Sequence, residues 1–281
     1  MQISVVIPSY NRRHTLERAL QSVFDQTSTV DEIILVDDGS SDGSSDMVKR
    51  QYPEVKVLCQ PNLGVSAARN RGIASARFEW IALLDSDDSW MPRKIELIRD
   101  ARQQHPGFVL YHSDEIWVRR GVRVNPKHKH RKNGGWIFES CLPLCAISPS
   151  ASVISKSTLE SLGMFDEKLP ACEDYDLWLR LCHQFPVHYI DKALITKYGG
   201  HDDQLSQQYP AMDRFRIHAL HRLLTTATLQ PEYYRAAEAT LLNKLDILIN
   251  GAVKHHNQAL LDEFIPLRDN WYRHGEQLAQ C

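Results

Sequence analysis

The run Ile3-Ser4-Val5-Val6-Ile7-Pro8 decides the fold class of this chain. Its apolar, mostly β-branched residues are continuous up to Pro8, which is typical of a strand buried on both faces of a sheet. The next segment, Thr15–Phe24, has its apolar residues at the spacing of an amphipathic helix. A strand followed directly by a helix predicts the first unit of an α/β fold.

The same alternation continues through the first 105 residues. Repeated βα units of this kind place helices on both faces of a parallel sheet. We therefore predict a mostly parallel, Rossmann-like sheet in which ligands bind at the carboxyl ends of the strands. The further strands are predicted at Glu32–Val36, Val55–Cys59 and Trp80–Leu84, with helices at Ser41–Gln51 and Val65–Ala76.

The pattern changes after residue 105, and from Pro210 onward it predicts only helices. The polar stretch His201–Pro210 is the predicted boundary between a domain of residues 1–205 and a C-terminal helical extension of residues 206–281. The later strands are predicted at Phe108–Arg119, Gly121–Val124, Ser148–Ile154 and Ala193–Tyr198, and the helices at Glu173–Phe185, Met212–Thr226, Glu232–Asn250 and Gln258–Ala279.

Composition excludes several classes of protein. The 281 residues carry a formal net charge of −2, so no general attraction to nucleic acid is expected. Six cysteines are scattered without a CxxC pair, which argues against a disulfide framework or a zinc knuckle and favours a reducing, cytoplasmic environment. No secretion signal and no run long enough to span a membrane is visible, so we expect a soluble or peripheral protein.

An acidic segment follows the second predicted strand: Asp37-Asp38-Gly39-Ser40-Ser41-Asp42. Carboxylates at the carboxyl end of a strand can accept hydrogen bonds from a base or a ribose, and Gly39 permits a tight turn. Helix capping explains Ser41 and Asp42 equally well. Two adjacent carboxylates are more than a cap needs, and Asp38 is therefore the candidate ligand-binding residue.

A second acidic segment, Asp85-Ser86-Asp87-Asp88, follows the strand Trp80–Leu84. Three carboxylates in four residues repel each other unless a cation lies among them. Alternation along an extended chain lets Asp85 and Asp87 face the same way, as a site for a hard metal ion requires. The other interpretation is a solvated acidic turn before a helix that starts near Pro92.

A third acidic segment, Glu173-Asp174-Tyr175-Asp176, begins a predicted helix. Acidic residues in a first helical turn are expected from the helix dipole alone. Asp174 could act as a base only if this helix start faces the metal-binding segment. Between the first two acidic segments, the predicted helix that contains Arg69 carries small residues that allow close packing on the sheet. Arg69 could then reach a phosphate or hold an aspartate.

Taken together, these segments resemble the family 2 glycosyltransferases, which have the GT-A fold. The resemblance covers about residues 2–200, and its motifs occur in the order and spacing of that family. They are Ser4–Arg12 (Ser-Val-Val-Ile-Pro-Ser-Tyr-Asn-Arg), Ile34–Asp42 (Ile-Leu-Val-Asp-Asp-Gly-Ser-Ser-Asp), Asn62–Gly72, Leu84–Asp88 (Leu-Asp-Ser-Asp-Asp) and Glu173–Trp178 (Glu-Asp-Tyr-Asp-Leu-Trp).

The resemblance implies a role for each matching position. Residues 1–105 would bind a nucleotide-sugar and residues 106–205 the acceptor. Asp174 would be the general base, supported by Glu173. Asp87 would bind a divalent metal, Mn²⁺ or Mg²⁺, with Asp85 and His201 as further candidate ligands; Gly-Gly-His stands here where the family usually has Arg-x-His. The implied nucleotide-sugar-binding residues are Pro8, Tyr10, Asn11, Asp38, Arg69, Asp85 and Ser86.

The implied reaction is an inverting transfer of a sugar from a nucleotide-sugar, with UDP as the commonest nucleotide, to an acceptor hydroxyl. The expected acceptor is a saccharide or a lipid-linked saccharide in cell-surface polysaccharide, lipopolysaccharide or glycan synthesis. The basic run Pro126–Trp136 either attracts an anionic acceptor or is a solvated loop, the second interpretation being favoured. The residues Lys254–His256 and Trp271–Arg273 either rest on the inner face of a membrane or pack in helices or a subunit contact, again with the second favoured.

Three other classes are weighed against this one. A phosphohydrolase with Asp85 as nucleophile would have its DxD motif on the first strand, whereas here the motif follows the fourth. A nucleotidyltransferase usually opens with a Gly-rich, basic phosphate loop, and residues 8–14 are not Gly-rich. A sugar-nucleotide-binding relic without activity stays open, and intact Asp87 and Asp174 argue against it.

Overall fold

The structure is a computed structural model that describes residues 1–125, 130–200 and 209–279, with side chains described as far as Arg273. The first part of the chain forms β1 (Ile3–Ser9), α1 (Arg13–Phe24), β2 (Glu32–Asp37), α2 (Ser44–Gln51), β3 (Lys56–Cys59), α3 (Val65–Ser75), β4 (Trp80–Leu83), β5 (Ser89–Trp90) and α4 (Lys94–Gln104). The second part forms β6 (Leu110–Arg119), β7 (Val122–Val124), α5 (Phe138–Cys141), β8 (Val153–Ser155), α6 (Lys156–Ser161), α7 (Glu173–Cys182) and β9 (His188–Gly199), followed by α8 (Asp213–Thr226), α9 (Pro231–Lys254) and α10 (Gln258–Ala279).

The strands join in one sheet with the order β3-β2-β1-β4-β8-β6-β9-β5, and β7 pairs with β6. The pairs β1–β2, β1–β4 and β2–β3 are parallel, which confirms the predicted parallel half. Beyond β4 the sheet is mixed, because β8 is antiparallel to both β4 and β6. Parallel pairing brings the carboxyl ends of β1, β2 and β4 to one edge, where the acidic segments begin.

The first strand is buried on both faces, as the continuous apolar run predicts. Ile3, Val5 and Ile7 lie in one core with apolar residues of α1, whereas Val6 lies in the other core with Ala68 of α3. The two cores therefore cover the two faces of the sheet, in agreement with the alternation of strands and helices.

One strand prediction is partly wrong. Residues 148–154 were expected to be a strand, but Pro149–Ala151 form a 3-10 turn, and β8 begins at Val153. The turn is closed by Ser152, whose N–H and hydroxyl both donate to the carbonyl of Pro149, at 2.9 and 2.8 Å. Pro149 has no N–H to give to a sheet, which favours the turn at this position.

The C-terminal helices cover the same core as α7. Leu220 of α8, Leu241 of α9 and Phe264 of α10 are buried in the core that contains Trp178. Trp271, which the sequence left open to membrane contact, is 5% exposed, and its indole N–H donates to Nδ1 of His221 at 3.1 Å. Residues 201–208 lie outside the described residues, so the predicted boundary at His201–Pro210 stays a prediction. Within the described ranges, we find no helix with the length and apolarity to cross a bilayer.

Helix α3 packs on the sheet through Gly72. A Cβ atom at this position would lie 2.4 Å from Cγ1 of Val6 and 3.2 Å from Cγ2 of Val36. We expect Gly72→Ala to lower the free energy of unfolding by about 1–3 kcal/mol, because added volume in a packed core forces its neighbours apart. Urea denaturation measures this difference.

Gly251 is the matched control, because it also lies inside a helix but a Cβ there would meet no atom within 4 Å. Gly251→Ala should raise the stability by up to about 1 kcal/mol, the difference in helix propensity. Equal stabilisation by both alanines would show that α3 is not held against β1 as described.

The first residue of α4 is a lysine that is buried in the core. Lys94 has no exposed surface, and its Nζ donates to the carbonyl of Ala151 at 2.9 Å. Burial lowers the pKa of Lys94 from 10.5 to about 7. The unfolded chain therefore binds more protons than the folded chain between about pH 7 and pH 10.5, and stability should rise with pH across this window.

We expect Lys94→Met to be more stable than the parent protein at pH 7, by about 1–4 kcal/mol, after the lost hydrogen bond to Ala151 is allowed for. The advantage should shrink as the pH approaches 10, where the unfolded lysine also loses its proton. Thermal or urea unfolding at pH 7 and pH 10 tests this. The same difference at both pH values would contradict the lowered pKa of Lys94.

Candidate active site

A cavity of about 1020 Å³ opens at the carboxyl ends of β1, β2 and β4. Both halves of residues 1–205 line it, together with residues of the C-terminal extension. The sequence-predicted residues in its wall are Pro8, Tyr10, Asp38, Arg69, Asp85, Ser86, Asp87, Glu173 and Asp174. The segments of Asp87 and Asp174, 87 positions apart in sequence, therefore face one cavity.

Two predicted residues are not part of this wall as described. Asn11 lies just behind it, with a positive φ of 50°. Its N–H donates to Oγ of Ser40 at 2.9 Å, and its Oδ1 accepts from the N–H of Ser41 at 2.9 Å, so that it joins the loops after β1 and β2. His201 lies outside the described residues, and its predicted role as a metal ligand stays a prediction. Tyr10, beside Asn11, is 47% exposed.

Asp38 is held by the loop before α3. Its carboxylate accepts hydrogen bonds from Nε2 of Gln60 at 2.7 Å and from the N–H groups of Leu63 and Gly64, each at 2.9 Å. Gly39 next to it has φ of 84°, and a Cβ there would lie 2.9 Å from the nitrogen of Asn62. Asp38 thus fixes the backbone of the loop that lines the cavity. Its contact with a base stays a prediction.

Arg69 joins two acidic segments. It is 3% exposed, its Nη2 lies 2.7 Å from Oδ1 of Asp85, and its Nη1 lies 2.5 Å from Oε1 of Glu173. Burial would lower the pKa of Arg69, but the two carboxylates outweigh it and raise the pKa. Of the two roles that the sequence left open, the structure shows the second: Arg69 holds carboxylates.

The carboxylates after β4 have different surroundings. Asp85 is paired with Arg69, and Asp88 accepts hydrogen bonds from Oγ of Ser150 at 2.6 Å and from the N–H of Tyr198 at 3.2 Å. Asp87 is half-buried and lines the cavity. Burial raises the pKa of Asp88, and the nearby Asp87 and Asp85 raise it further. The segment is therefore a crowded group of carboxylates whose charges repel.

The cavity can offer a metal ion few protein ligands. Across residues 1–125, 130–200 and 209–279, no group of three or more His, Cys, Asp or Glu side chains is placed to enclose one. Asp85 and Asp87 still fit a hard cation, because magnesium and manganese commonly take one or two carboxylates and draw their other ligands from phosphates and water. The repulsion that raises the pKa of Asp88 is the kind that a cation relieves.

The third acidic segment begins α7 at the cavity wall. Glu173 is 5% exposed; burial raises its pKa, and the ion pair with Arg69 opposes this shift. Asp174 is half-buried, and its Oδ1 accepts from the N–H of Tyr175 at 2.7 Å. Its Oδ2 accepts from Sγ of Cys145 at 3.1 Å. The start of α7 thus lines the same cavity as the second acidic segment, and the role of Asp174 as a base stays a prediction.

Several residues of the wall were missed by the sequence analysis. Glu115 of β6 pairs with Lys132 at 3.2 Å, and Lys197 of β9 donates to Oγ of Ser148 at 3.1 Å. Burial raises the pKa of Glu115, but Lys132 and Lys197 outweigh it and lower the pKa to about 2. Lys132 belongs to the basic run Pro126–Trp136, for which a solvated loop was favoured, yet it is 7% exposed; residues 126–129 of that run lie outside the described residues.

These residues carry no signal that sequence reasoning could have used. Glu115 and Lys197 are charged residues within predicted strands, and nothing in the local sequence indicates that they line one cavity. Cys145 and Arg216, which also line the cavity, come from a segment without a motif and from the helical extension.

Fold and site together define a class: a GT-A protein with acidic residues at the ends of its strands. The family model described as "Glycosyl transferase family 2" matches residues 4–146. The chain belongs to this family.

The relatives are glycosyltransferases by name. An uncharacterised glycosyltransferase of Rickettsia typhi is 27% identical over 288 residues, which cover 99% of this chain and 83% of the relative. One of Rickettsia conorii is 29% identical over 215 residues, 73% of this chain and 35% of the relative. One of Nostoc is 41% identical over 121 residues, 41% of this chain and 38% of the relative. The matches to the last two thus span little more than a third of those proteins.

Solved structures share the fold. S. aureus TarS 1–349 in complex with UDP-GlcNAc matches with a TM-score of 0.71 at 19% identity, over 89% of this chain and 73% of that one. Another structure of TarS 1–349 matches with a TM-score of 0.61 at 17% identity, over 98% of this chain and 92% of that one. At this level of identity the likeness shows the GT-A fold.

Proposed function

We propose that this protein transfers a sugar from a nucleotide-sugar to an acceptor hydroxyl, with inversion at the anomeric carbon. The observation that carries the proposal is the cavity whose wall contains Asp85, Asp87 and Asp174 together. Membership of glycosyl transferase family 2 supports the reaction class. The complexes of TarS with UDP and with UDP-GlcNAc support a UDP-sugar as donor.

On the donor side, the exposed ring of Tyr10 would stack on the base. Pro8 and Asn11 would shape the loop around the nucleotide, and Asp38 would hold the neighbouring backbone and accept from the base or ribose. A bound divalent ion, Mn²⁺ or Mg²⁺, would stabilise the negative charge of the departing diphosphate, with Asp87 and Asp85 as its protein ligands.

On the acceptor side, Asp174 would take the proton of the attacking hydroxyl. A new bond forms between the acceptor oxygen and the anomeric carbon, the bond from that carbon to the phosphate oxygen breaks, and the nucleoside diphosphate leaves. Cys145 and the N–H of Tyr175 donate to the carboxylate of Asp174 and orient it. Arg69, through Glu173, fixes the first turn of α7 that carries the base.

The acceptor would be a saccharide or a lipid-linked saccharide of cell-surface polysaccharide, lipopolysaccharide or glycan synthesis. The reaction would then take place in the cytoplasm or at the inner face of the membrane. Oligomer formation through the C-terminal helices belongs to the same proposal. The exposed Ile247 and Val253 of α9 are the apolar residues that such a contact would cover.

The test is a thermal-shift screen of UDP-, GDP- and dTDP-sugars with and without Mn²⁺, followed by measurement of nucleoside diphosphate release. A donor at a hundred times its dissociation constant should stabilise the protein by about 2.7 kcal/mol. This corresponds to a shift in Tm of roughly 5–10 °C for a protein of this size. Binding without any release of nucleoside diphosphate would favour the inactive relic, and the absence of binding would refute the proposal.

The variant Asp87→Asn should bind the donor more weakly and turn it over more slowly, because a neutral amide is a poorer ligand for a divalent ion. We expect a loss of 10²–10³-fold in turnover, about the loss of one group that stabilises developing charge. Donor-induced shifts in Tm and diphosphate release, each titrated with Mn²⁺, measure both effects. A variant that responds to Mn²⁺ like the parent protein would remove Asp87 from the metal site.

A further inference from the structure

Three cationic side chains lie in the wall of the cavity that contains Asp174. Lys132 precedes α5, Lys197 comes from β9 and Arg216 comes from α8, and all three line the cavity wall. Cys145, whose thiol donates to Asp174, lines the same wall. Burial would lower the pKa of Lys197, but the carboxylates of Glu115, Asp88 and Asp85 outweigh it and raise the pKa. The cavity therefore contains positive charge from three separate segments beside its carboxylates.

Lys132 is already engaged by the protein. Its Nζ donates to the carbonyl of Ala146 at 2.9 Å and pairs with Glu115 at 3.2 Å. Lys197, by contrast, shows one hydrogen bond within the described residues, to Oγ of Ser148 at 3.1 Å. An ammonium group can donate three. Lys197 therefore keeps capacity for a further acceptor.

Arg216 is partly buried and only partly paired. Its Nη1 donates to Oδ1 of Asp213 at 2.8 Å, and the same oxygen also accepts from Nζ of Lys244 at 3.1 Å. One carboxylate oxygen thus accepts hydrogen bonds from two cationic side chains. The Nε atom of Arg216 is buried, and the described residues provide no hydrogen-bond partner for it. The Nε atoms of Arg102 and Arg214 also lack a partner within the described part of the chain, but those residues do not line the cavity, and Arg69, which does, has both Nη atoms on carboxylates. Arg216 thus combines an unpartnered donor with a place in the cavity wall, where a ligand oxygen could accept from it.

We infer that Arg216, assisted by Lys197, binds a phosphate group of the acceptor substrate. A guanidinium with an unused edge suits phosphate, which accepts two parallel hydrogen bonds from it. The donor's diphosphate is expected at Asp85–Asp87, whereas Arg216 lies near Cys145 and Cys172, beside Asp174. The phosphate site is therefore assigned to the acceptor, and this inference rests on the proposed function.

The three cations also affect the electrostatic potential of the cavity. The cavity wall contains the carboxylates of Asp85, Asp87, Asp88, Glu173 and Asp174, which repel an anionic substrate. Positive charge beside the base would offset this repulsion and orient the phosphorylated acceptor so that its hydroxyl faces Asp174. Arg216 belongs to the helical extension, so the extension supplies part of the acceptor site.

The experiment measures binding of inorganic phosphate and of glycerol 1-phosphate to the full chain by calorimetry, with glycerol as the uncharged control. The titrations are done with Mg²⁺ and saturating UDP, so that the place of the donor diphosphate is filled. Arg216→Gln is expected to weaken binding of both phosphates at least tenfold, and Arg216→Lys severalfold. Arg214→Gln, on the same helix but outside the cavity wall, should bind them like the parent protein.

Unchanged phosphate binding in Arg216→Gln, or no phosphate binding by the parent protein, would overturn the inference. If Arg216→Gln does not fold, the charge-preserving Arg216→Lys decides the question by the same measurement. The binding of UDP is scored separately. A parent protein that binds phosphate but not UDP would refute the proposed function while leaving the phosphate site, and Arg216→Gln should keep UDP binding if both proposals hold.

Discussion

Asp174→Asn is expected to lower the rate of donor turnover by 10²–10⁴-fold, the usual contribution of a general base. The asparagine keeps nearly the shape of Asp174 and can still accept a hydrogen bond from the N–H of Tyr175. It cannot take a proton from the acceptor hydroxyl. Donor binding should be unchanged, because the nucleotide and the diphosphate are expected to be held by the segments of Asp38 and Asp85–Asp87. The effect therefore falls on turnover rather than on donor affinity.

The measurement uses the UDP-sugar that gives the largest thermal shift, with water as acceptor, and follows UDP release. Asp46→Asn, an exposed residue of α2, is the control for the loss of one carboxylate. Equal losses of donor affinity and turnover in Asp174→Asn would show that Asp174 acts in donor binding. Full activity in this variant would remove it from catalysis.

Arg69→Met is expected to lower the free energy of unfolding by about 3–5 kcal/mol, because it leaves Asp85 and Glu173 without their partner in a buried environment. Methionine fills much of the volume of the arginine stem, so the loss reports mainly on charge. Urea denaturation at pH 7 measures it. Turnover should fall as well, since both acidic segments lose the group that holds them in place.

Arg71→Met is the matched control. Arg71 lies on the same helix, is exposed, and donates to the carbonyl of Cys59 at 2.7 Å. Its replacement should change stability by no more than about 0.5 kcal/mol. In the double variant Arg69→Met/Glu173→Gln one buried charge is removed together with its partner, so part of the stability should return. No recovery would mean that Arg69 stabilises the fold by packing and not by pairing.

The fold could be predicted where the pattern is local. The continuous apolar run of β1 and the helical period of α1 each lie within a dozen residues, and both elements are present as expected. Residues 148–154 were predicted incorrectly in part, because Val153 and Ile154 do form a strand, whereas the Ser-Pro-Ser-Ala-Ser sequence before them forms a turn. The turn is stabilised by hydrogen bonds of Ser152 that composition does not reveal.

The site could be predicted only as far as the sheet brings strand ends together. Parallel pairing of β1, β2 and β4 is enough to expect the segments at Asp38 and Asp85 at one edge. The hydrogen-bond partners of each side chain could not be predicted in this way, because Arg69 contacts residues 16 and 104 positions away in sequence. Arg216 and Lys197 belong to segments without a motif, so their place in the wall follows from tertiary packing alone.

The helices α8 to α10, which follow β9, contribute to both the core and the cavity. Their apolar residues complete the core around Trp178, and their Arg216 reaches the cavity. On the proposal that Arg216 binds the acceptor, exchanging these helices between relatives would change both substrate preference and stability. A substitution at a cavity-lining position of α8 would then also have to fit the core that the same helix packs against.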